Sequence, residues 1–238
     1  MSGDFDPDKV IATIDKYFGG WKANPNLSRP EYAPVPTLTA PTDTTVIGQE
    51  AENVMLGWKF DRAASLQQDT LNVIAEMLSN GKAGLFDLNL DQKMQYLGGA
   101  AFVYPLAEYS SLIVEGLPKE GQTLEQVRDL MLGEIEKLKR GEFSDDLLPS
   151  VINNMKLDAY KEMEDNDSRA SKFVDAFING QEWSDVVGRL DRISHITKQQ
   201  IIDFANRHLL NNYVAVYKRQ GVDSTVKKID KPQITPIP

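Results

Sequence analysis

Four stretches of the chain alternate apolar and polar residues, while most of the remaining periodic segments repeat every three to four residues, and the two periods separate strands from helices. Val54, Leu56, Trp58 and Phe60 interleave with Met55, Gly57 and Lys59, which predicts a strand with one face more deeply buried than the other. Residues 96–104 and 109–116 read as two further strands, and the short connection between them favours an antiparallel hairpin. Residues 213–218 read as a closing strand. The helical period is clearest at Val10, Ile11, Ile14 and Phe18, where Asp6 can cap the free N–H groups, Pro7 suits the first turn and Gly19-Gly20 stops the helix. It returns at Leu71, Ile74, Ala75 and Leu78, with Ser65 and Gln68 spaced as a capping box ahead of it and Gly81 behind. A short helix is expected around 85–92.

Helices dominate from Thr123 onward. One carries Leu124, Val127, Met131, Ile135 and Leu138; the next carries Leu148, Val151, Ile152, Met155 and Ala159, with Pro149 perturbing its first turns. A shorter one holds Trp183, Val186, Val187 and Leu190, and a last one, opened by a Thr197/Gln200 capping box, places Ile201, Phe204, Ala205 and Leu209 inside. The expected class is α+β, an antiparallel sheet flanked by several helices. Between the first helix and the first strand, Pro25, Pro30, Pro34, Pro36 and Pro41 break any period. The chain therefore divides into a helix at 1–22, a Pro-rich linker at 23–44, a folded unit at 45–221 and a tail at 222–238. The first helix has an apolar face with nothing beside it in sequence to cover it.

Composition narrows the partners. With 41% hydrophobic residues in 238, a real core is available. A formal charge of -9, with no gathering of Lys or Arg, argues against nucleic acid. No apolar run approaches the roughly 20 residues that a membrane-spanning helix needs, and no signal-peptide pattern is read. The absence of cysteine removes disulfides and thiolate chemistry without fixing a compartment.

Candidate chemistry is sparse. The only histidines, His195 and His208, stand 13 residues apart with no Glu at the offset of a helical zinc motif, so both read as structural or surface residues and no metal ligand is assigned. His208, near the end of the last helix, would favour the helix dipole if charged. The serine-hydrolase elbow, the phosphate loop and the dinucleotide fingerprint are absent, and no catalytic residue is named. Glu162, Glu164, Asp165 and Asp167 lack the glycine and distal Glu of a calcium loop and read as a solvated helix end. One region suits peptide recognition: Gly81 and Gly84 lie in a glycine-bearing loop, and Leu97-Gly98-Gly99 opens a strand whose small residues let another backbone approach. The plainer reading is a turn and a strand bend.

Several patches in a fixed order resemble the insulinase/pitrilysin family of zinc metallopeptidases. They are residues 3–7 and 17–21, Val54 to Trp58, Leu78 to Asp91, Gly116-Leu117-Pro118, residues 138–143, residues 180–183, Ile196-Thr197 and Asn212 to Lys218, together spanning most of 3–221. The resemblance is to the non-catalytic second domain of the N-terminal half, preceded by the final helix of the catalytic domain, and the tail would lead toward a second half. It implies a metallopeptidase-type repeat domain that forms chamber wall and binds peptide or unfolded polypeptide substrate, with Gly81, Gly84, Leu97, Gly98 and Gly99 at the substrate-binding positions. It implies no cofactor in this chain, zinc in the parent's catalytic domain, the parent's other domains as partners, and a bacterial envelope or periplasmic setting. The inverted H-x-x-E-H zinc motif of the family is not found here, so a structural or scaffold role in an inactive member is the alternative. The exposed first helix also offers a surface for homodimer contacts.

Overall fold

A computed structural model describes residues 1–28, 30–223 and 225. The tail from 226 onward lies outside the described residues. The order of elements is α1 (Pro7–Phe18), β1 (Thr42–Gly48), β2 (Asn53–Phe60), α2 (Gln67–Leu78), a π-helical turn (Asp87–Asp91), β3 (Gly98–Pro105), β4 (Ser110–Leu117), α3 (Leu124–Arg140), α4 (Leu147–Glu164), α5 (Asn166–Asn179), α6 (Trp183–Ser194), α7 (Lys198–His208) and β5 (Val214–Gln220).

The strands form one sheet in the order β1-β5-β2-β4-β3. Four of them pair antiparallel, as the hairpin and the returning strand lead one to expect. The sheet as a whole is mixed, because β1 adds to its edge parallel to β5, Thr42 opposite Val214 and Gly48 opposite Gln220. This strand begins inside the segment read as a Pro-rich linker. Its side chains are almost all exposed, so it carries no apolar alternation, and its backbone pairs with β5 along its whole length.

Alternation along β2 sets the two faces of the sheet. Val54, Leu56, Trp58 and Phe60 are buried with Leu112, Val114, Ala215 and Tyr217, and burying each large side chain contributes about 1.5–3 kcal/mol. Helices cover this face: α3 packs on β2 and β4, α2 on β3, and α7 on α3. Trp58 donates its indole N–H to the carbonyl of Leu210 at 2.8 Å, which satisfies the one polar group this ring brings into the core. The opposite face, with Met55, Gly57, Lys59, Ile113 and Val216, carries no helix layer among the described residues.

Helix ends follow local chemistry. Capping boxes at Thr123/Gln126 and Thr197/Gln200 open α3 and α7. The box expected at Ser65/Gln68 does not form: Leu66 occupies the cap position in a helical conformation, and the Gln68 amide instead donates to the carbonyl of Asp61 at 2.9 Å. Pro149 sits in the first turn of α4, where its missing N–H costs no hydrogen bond. Asp165, part of the acidic run, caps α5 by accepting from Ser168 N at 2.7 Å. That helix has no counterpart in the sequence reading. It buries only Ala176, so its apolar residues mark no inward stripe. Asp69 ties α6 to α2, accepting from Arg192 Nε at 2.6 Å with Arg189 at 3.7 Å.

Among the described residues nothing buries the apolar stripe of α1, and Ile11, Ile14 and Phe18 remain at least half exposed.

A candidate peptide-binding edge and its supporting loop

The strand β3 closes one end of the sheet, so the row of backbone N–H and C=O groups along its outer side has no strand partner among the described residues. The path into that strand is fixed from α2 onward. After Leu78 the chain reverses through Ser79 to Gly84, and the organiser of the reversal is Asp87, a carboxylate only 5% exposed. Its Oδ2 accepts from the backbone N–H groups of Asn80 (3.0 Å), Lys82 (3.0 Å) and Gly84 (2.8 Å), and its Oδ1 accepts from the Ser79 hydroxyl at 3.2 Å. Asn80 closes the inner loop, accepting from Lys82 N and Ala83 N at 3.0 and 2.9 Å.

Asp87 also begins the π-helical turn, whose wide spacing shows in Gln92 N donating to Asp87 O and Gln95 N to Leu90 O. The turn is braced from outside. Asn89 donates to Glu134 Oε2 at 2.8 Å, and Glu134, itself buried, pairs with Lys137 at 2.7 Å. Leu97 N then donates to Leu117 O at 2.9 Å, docking the start of β3 against β4.

The five sequence-predicted residues fall into two groups. Leu97, Gly98 and Gly99 lie together at the start of the edge strand, with Leu97 71% exposed. Gly81 and Gly84 belong to the loop held by Asp87. Three of the four glycines have local reasons to be glycine. Gly81 has a positive φ of 73°. A Cβ on Gly84 would stand 2.6 Å from the carbonyl oxygen of Leu78. One on Gly99 would stand 2.5 Å from the Tyr96 hydroxyl and 2.6 Å from the Glu115 carbonyl oxygen. Gly98 is different, since a Cβ there meets nothing within 4 Å. The residue that sequence reasoning did not find is Asp87, whose only signal was an acid three residues after a glycine.

Electrostatics around the turn disfavour negative charge. Burial pushes the Asp91 carboxyl above its usual range, with the nearby Asp87 adding to it, and burial raises the Tyr96 phenol as well. Glu76 on α2 is likewise raised, first by burial and then by Asp158 and Asp87. An acid whose folded pKa is raised costs stability where it is ionised, and the cost vanishes as pH falls below its unfolded value. Glu76→Gln is therefore expected to raise the melting temperature at pH 7 by about 1–3 °C. The gain should shrink toward zero as the pH is lowered to 4, and a gain that does not change with pH would contradict this account.

The two histidines are not brought together. His195 caps the end of α6, its Nδ1 2.8 Å from the carbonyl of Asp191. His208 packs on Phe204 and Phe60 with ring centroids 4.5 and 5.8 Å away, and burial lowers its pKa, with Arg207 adding to the effect. Burial thus disfavours the charged form that its place at the end of the helix would favour. Among the described residues no group of three His, Cys, Asp or Glu side chains is placed to hold a metal ion. The residues present do not fit the zinc site of a metallopeptidase.

A family model described as the peptidase M16 inactive domain matches residues 1–155. This chain belongs to that family. Among solved structures, a protease from Helicobacter pylori superposes with a TM-score of 0.84 at 19% identity, over 92% of this chain and 54% of that one. The peptidase M16 inactive domain from Pseudomonas fluorescens gives 0.75 at 12% identity, over 92% and 52%. The periplasmic protease PqqL from Escherichia coli gives 0.69 at 14% identity, over 91% and 26%. At these identities the likeness is one of fold. The chain spans about half the length of the first two and about a quarter of the third. No curated protein matches it. The chain thus carries a peptidase M16 inactive domain of the α+β type, and the same fold recurs in a longer chain described as a peptidase M16 inactive domain. No helix among the described residues is long and apolar enough to cross a membrane.

Proposed function

We propose that this domain binds extended polypeptide along the outer edge of β3 as the non-catalytic wall of a zinc peptidase chamber, with the metal and the general base carried by another domain of the parent. The observation that carries this reading is the position of β3. It is the terminal strand of the sheet, and after Leu97 it begins with Gly98-Gly99, where Gly98 faces open space. A peptide added there gains main-chain hydrogen bonds regardless of its sequence, which suits a surface that must hold many substrates. The Asp87 loop and the braced π-helical turn keep the start of the strand in place, so little ordering is required on binding.

The exposed stripe of α1 supports the placement of this domain beside others of the same parent, since Ile11, Ile14 and Phe18 would otherwise remain in water. The periplasmic PqqL among the structural neighbours supports an envelope or periplasmic setting for that parent.

The test is a titration of the isotope-labelled domain with an unstructured peptide and with two versions N-methylated at alternate residues. Strand addition predicts backbone NMR shifts centred on 98–105. It also predicts that one N-methylated register binds at least tenfold more weakly while the other binds like the parent peptide, because only alternate N–H groups face the strand. Equal binding by all three, or no shifts in β3, would refute peptide addition at this edge and leave the scaffold reading.

A further inference from the structure

We propose that Asn179, at the end of α5, is a site of spontaneous covalent modification in the folded domain, converting to aspartate and isoaspartate. Asparagine precedes glycine at two places in the chain, Asn80-Gly81 and Asn179-Gly180. The dipeptide is reactive because glycine has no Cβ to hinder its own backbone nitrogen. Once that N–H has lost its proton to solvent base, the nitrogen attacks the asparagine Cγ. A C–N bond closes a five-membered succinimide ring, and the side-chain nitrogen leaves as ammonia. Water then opens the ring at either carbonyl, so one water is consumed and one ammonia released, with no oxidant or cofactor. The fold decides which of the two sites can reach the ring.

At Asn80 the reacting atoms are tied down. The side-chain Nδ2 donates to the carbonyl of Glu76 at 2.9 Å, and Oδ1 accepts from Lys82 N and Ala83 N at 3.0 and 2.9 Å. The backbone N–H of Asn80 is itself held by the buried Asp87 carboxylate, which also accepts from Lys82 and Gly84. Swinging Cγ onto Gly81 N breaks this set together. Asn179 is bound far less. It is partly exposed, and its side chain makes no hydrogen bond among the described residues. Only backbone bonds restrain its neighbour: Gly180 N donates to Ala176 O and to Phe177 O, the latter at 3.3 Å, and Gln181 N donates to Ala176 O at 2.8 Å. These are the closing bonds of a helix that buries only Ala176, so its end frays at a lower free energy than the Asp87 loop opens. Conversion changes both charge and chain length there. It sets a carboxylate at the helix C-terminus, where the dipole disfavours it, one turn after Asp175. The isoaspartate form also lengthens the main chain ahead of Gln181, whose side chain donates to the carbonyl of Ala63 at 3.0 Å and ties the end of α5 to the loop after β2.

The test is peptide mapping by mass spectrometry after incubation of the chain at mildly alkaline pH, once folded and once in concentrated urea, with isoaspartate scored separately. In urea both dipeptides should react at similar rates, which sets their intrinsic reactivity. In the folded chain the gain of one mass unit should accumulate at Asn179 about tenfold faster than at Asn80, or more, because only the helix end opens readily. Asn179→Gln, whose longer side chain would have to close a six-membered ring, should abolish that gain. Equal rates at the two sites in the folded chain, faster conversion at Asn80, or no conversion at Asn179 over a period in which urea converts both would overturn the proposal. A mass gain in the same peptide that persists in Asn179→Gln would overturn it equally.

Discussion

Asp87→Ala is expected to destabilise the domain by about 3 kcal/mol, because one buried carboxylate accepts three backbone N–H groups and a hydroxyl at once. Each donor left unpaired and buried costs roughly 1–3 kcal/mol, but Lys82 and Ala83 are exposed and water can reach part of the loop, which holds the total near the low end of the sum. For a domain of this size the loss corresponds to a fall in melting temperature of roughly 6–12 °C. Asp87→Asn should lose nearly as much. Its single acceptor cannot serve both sides of the loop, and its NH₂ group would face donors. Denaturant unfolding gives the energies, and amide exchange at Asn80, Lys82 and Gly84 shows whether the loop opened. Protection retained at those three amides in the alanine variant would mean that the carboxylate is not the organiser.

The case of Asp87 also shows where the sequence is silent. Strands β2, β4 and β5 could be placed from their alternation, and α3 and α7 from their stripes and turn chemistry, because each buries one face against a common core and burial writes a period into the chain. β1 and α5 bury almost nothing, so neither writes one. The Ser65/Gln68 pattern misled because Leu66, in a helical conformation, takes the cap position, and the Gln68 side chain turns its amide N–H to the carbonyl of Asp61 and does not accept from the cap. At the candidate site, glycine composition marked the right segment but not the cause. Gly81, Gly84 and Gly99 are explained by backbone conformation and close packing, which depend on residues distant in sequence such as Glu115. Among the glycines within strands, Gly98 and Gly57 are the two around which a Cβ would meet nothing within 4 Å, and only coordinates separate them from the others.

That separation gives the sharpest expected contrast, between two adjacent glycines. Gly99→Val forces a Cβ to within 2.5 Å of the Tyr96 hydroxyl and 2.6 Å of the Glu115 carbonyl oxygen. Tyr96 is a side chain and could swing aside, but its ring is buried beneath the strand, and the carbonyl belongs to the ladder that joins β3 to β4. The strand must therefore lift away from its neighbour, at a cost of about 2–4 kcal/mol. Tyr96→Ala in the same chain should recover only part of it, since the backbone oxygen stays. Gly98→Val enters open space and should change stability by no more than about 0.5 kcal/mol. If an incoming peptide lies against β3, the same valine crowds its backbone and should weaken binding severalfold in a well-folded protein. The pair thus separates architecture from recognition, one glycine serving the ladder and its neighbour the ligand. Unfolding measurements that find both variants equally stable, or peptide titrations indifferent to Gly98→Val, would dissolve that division.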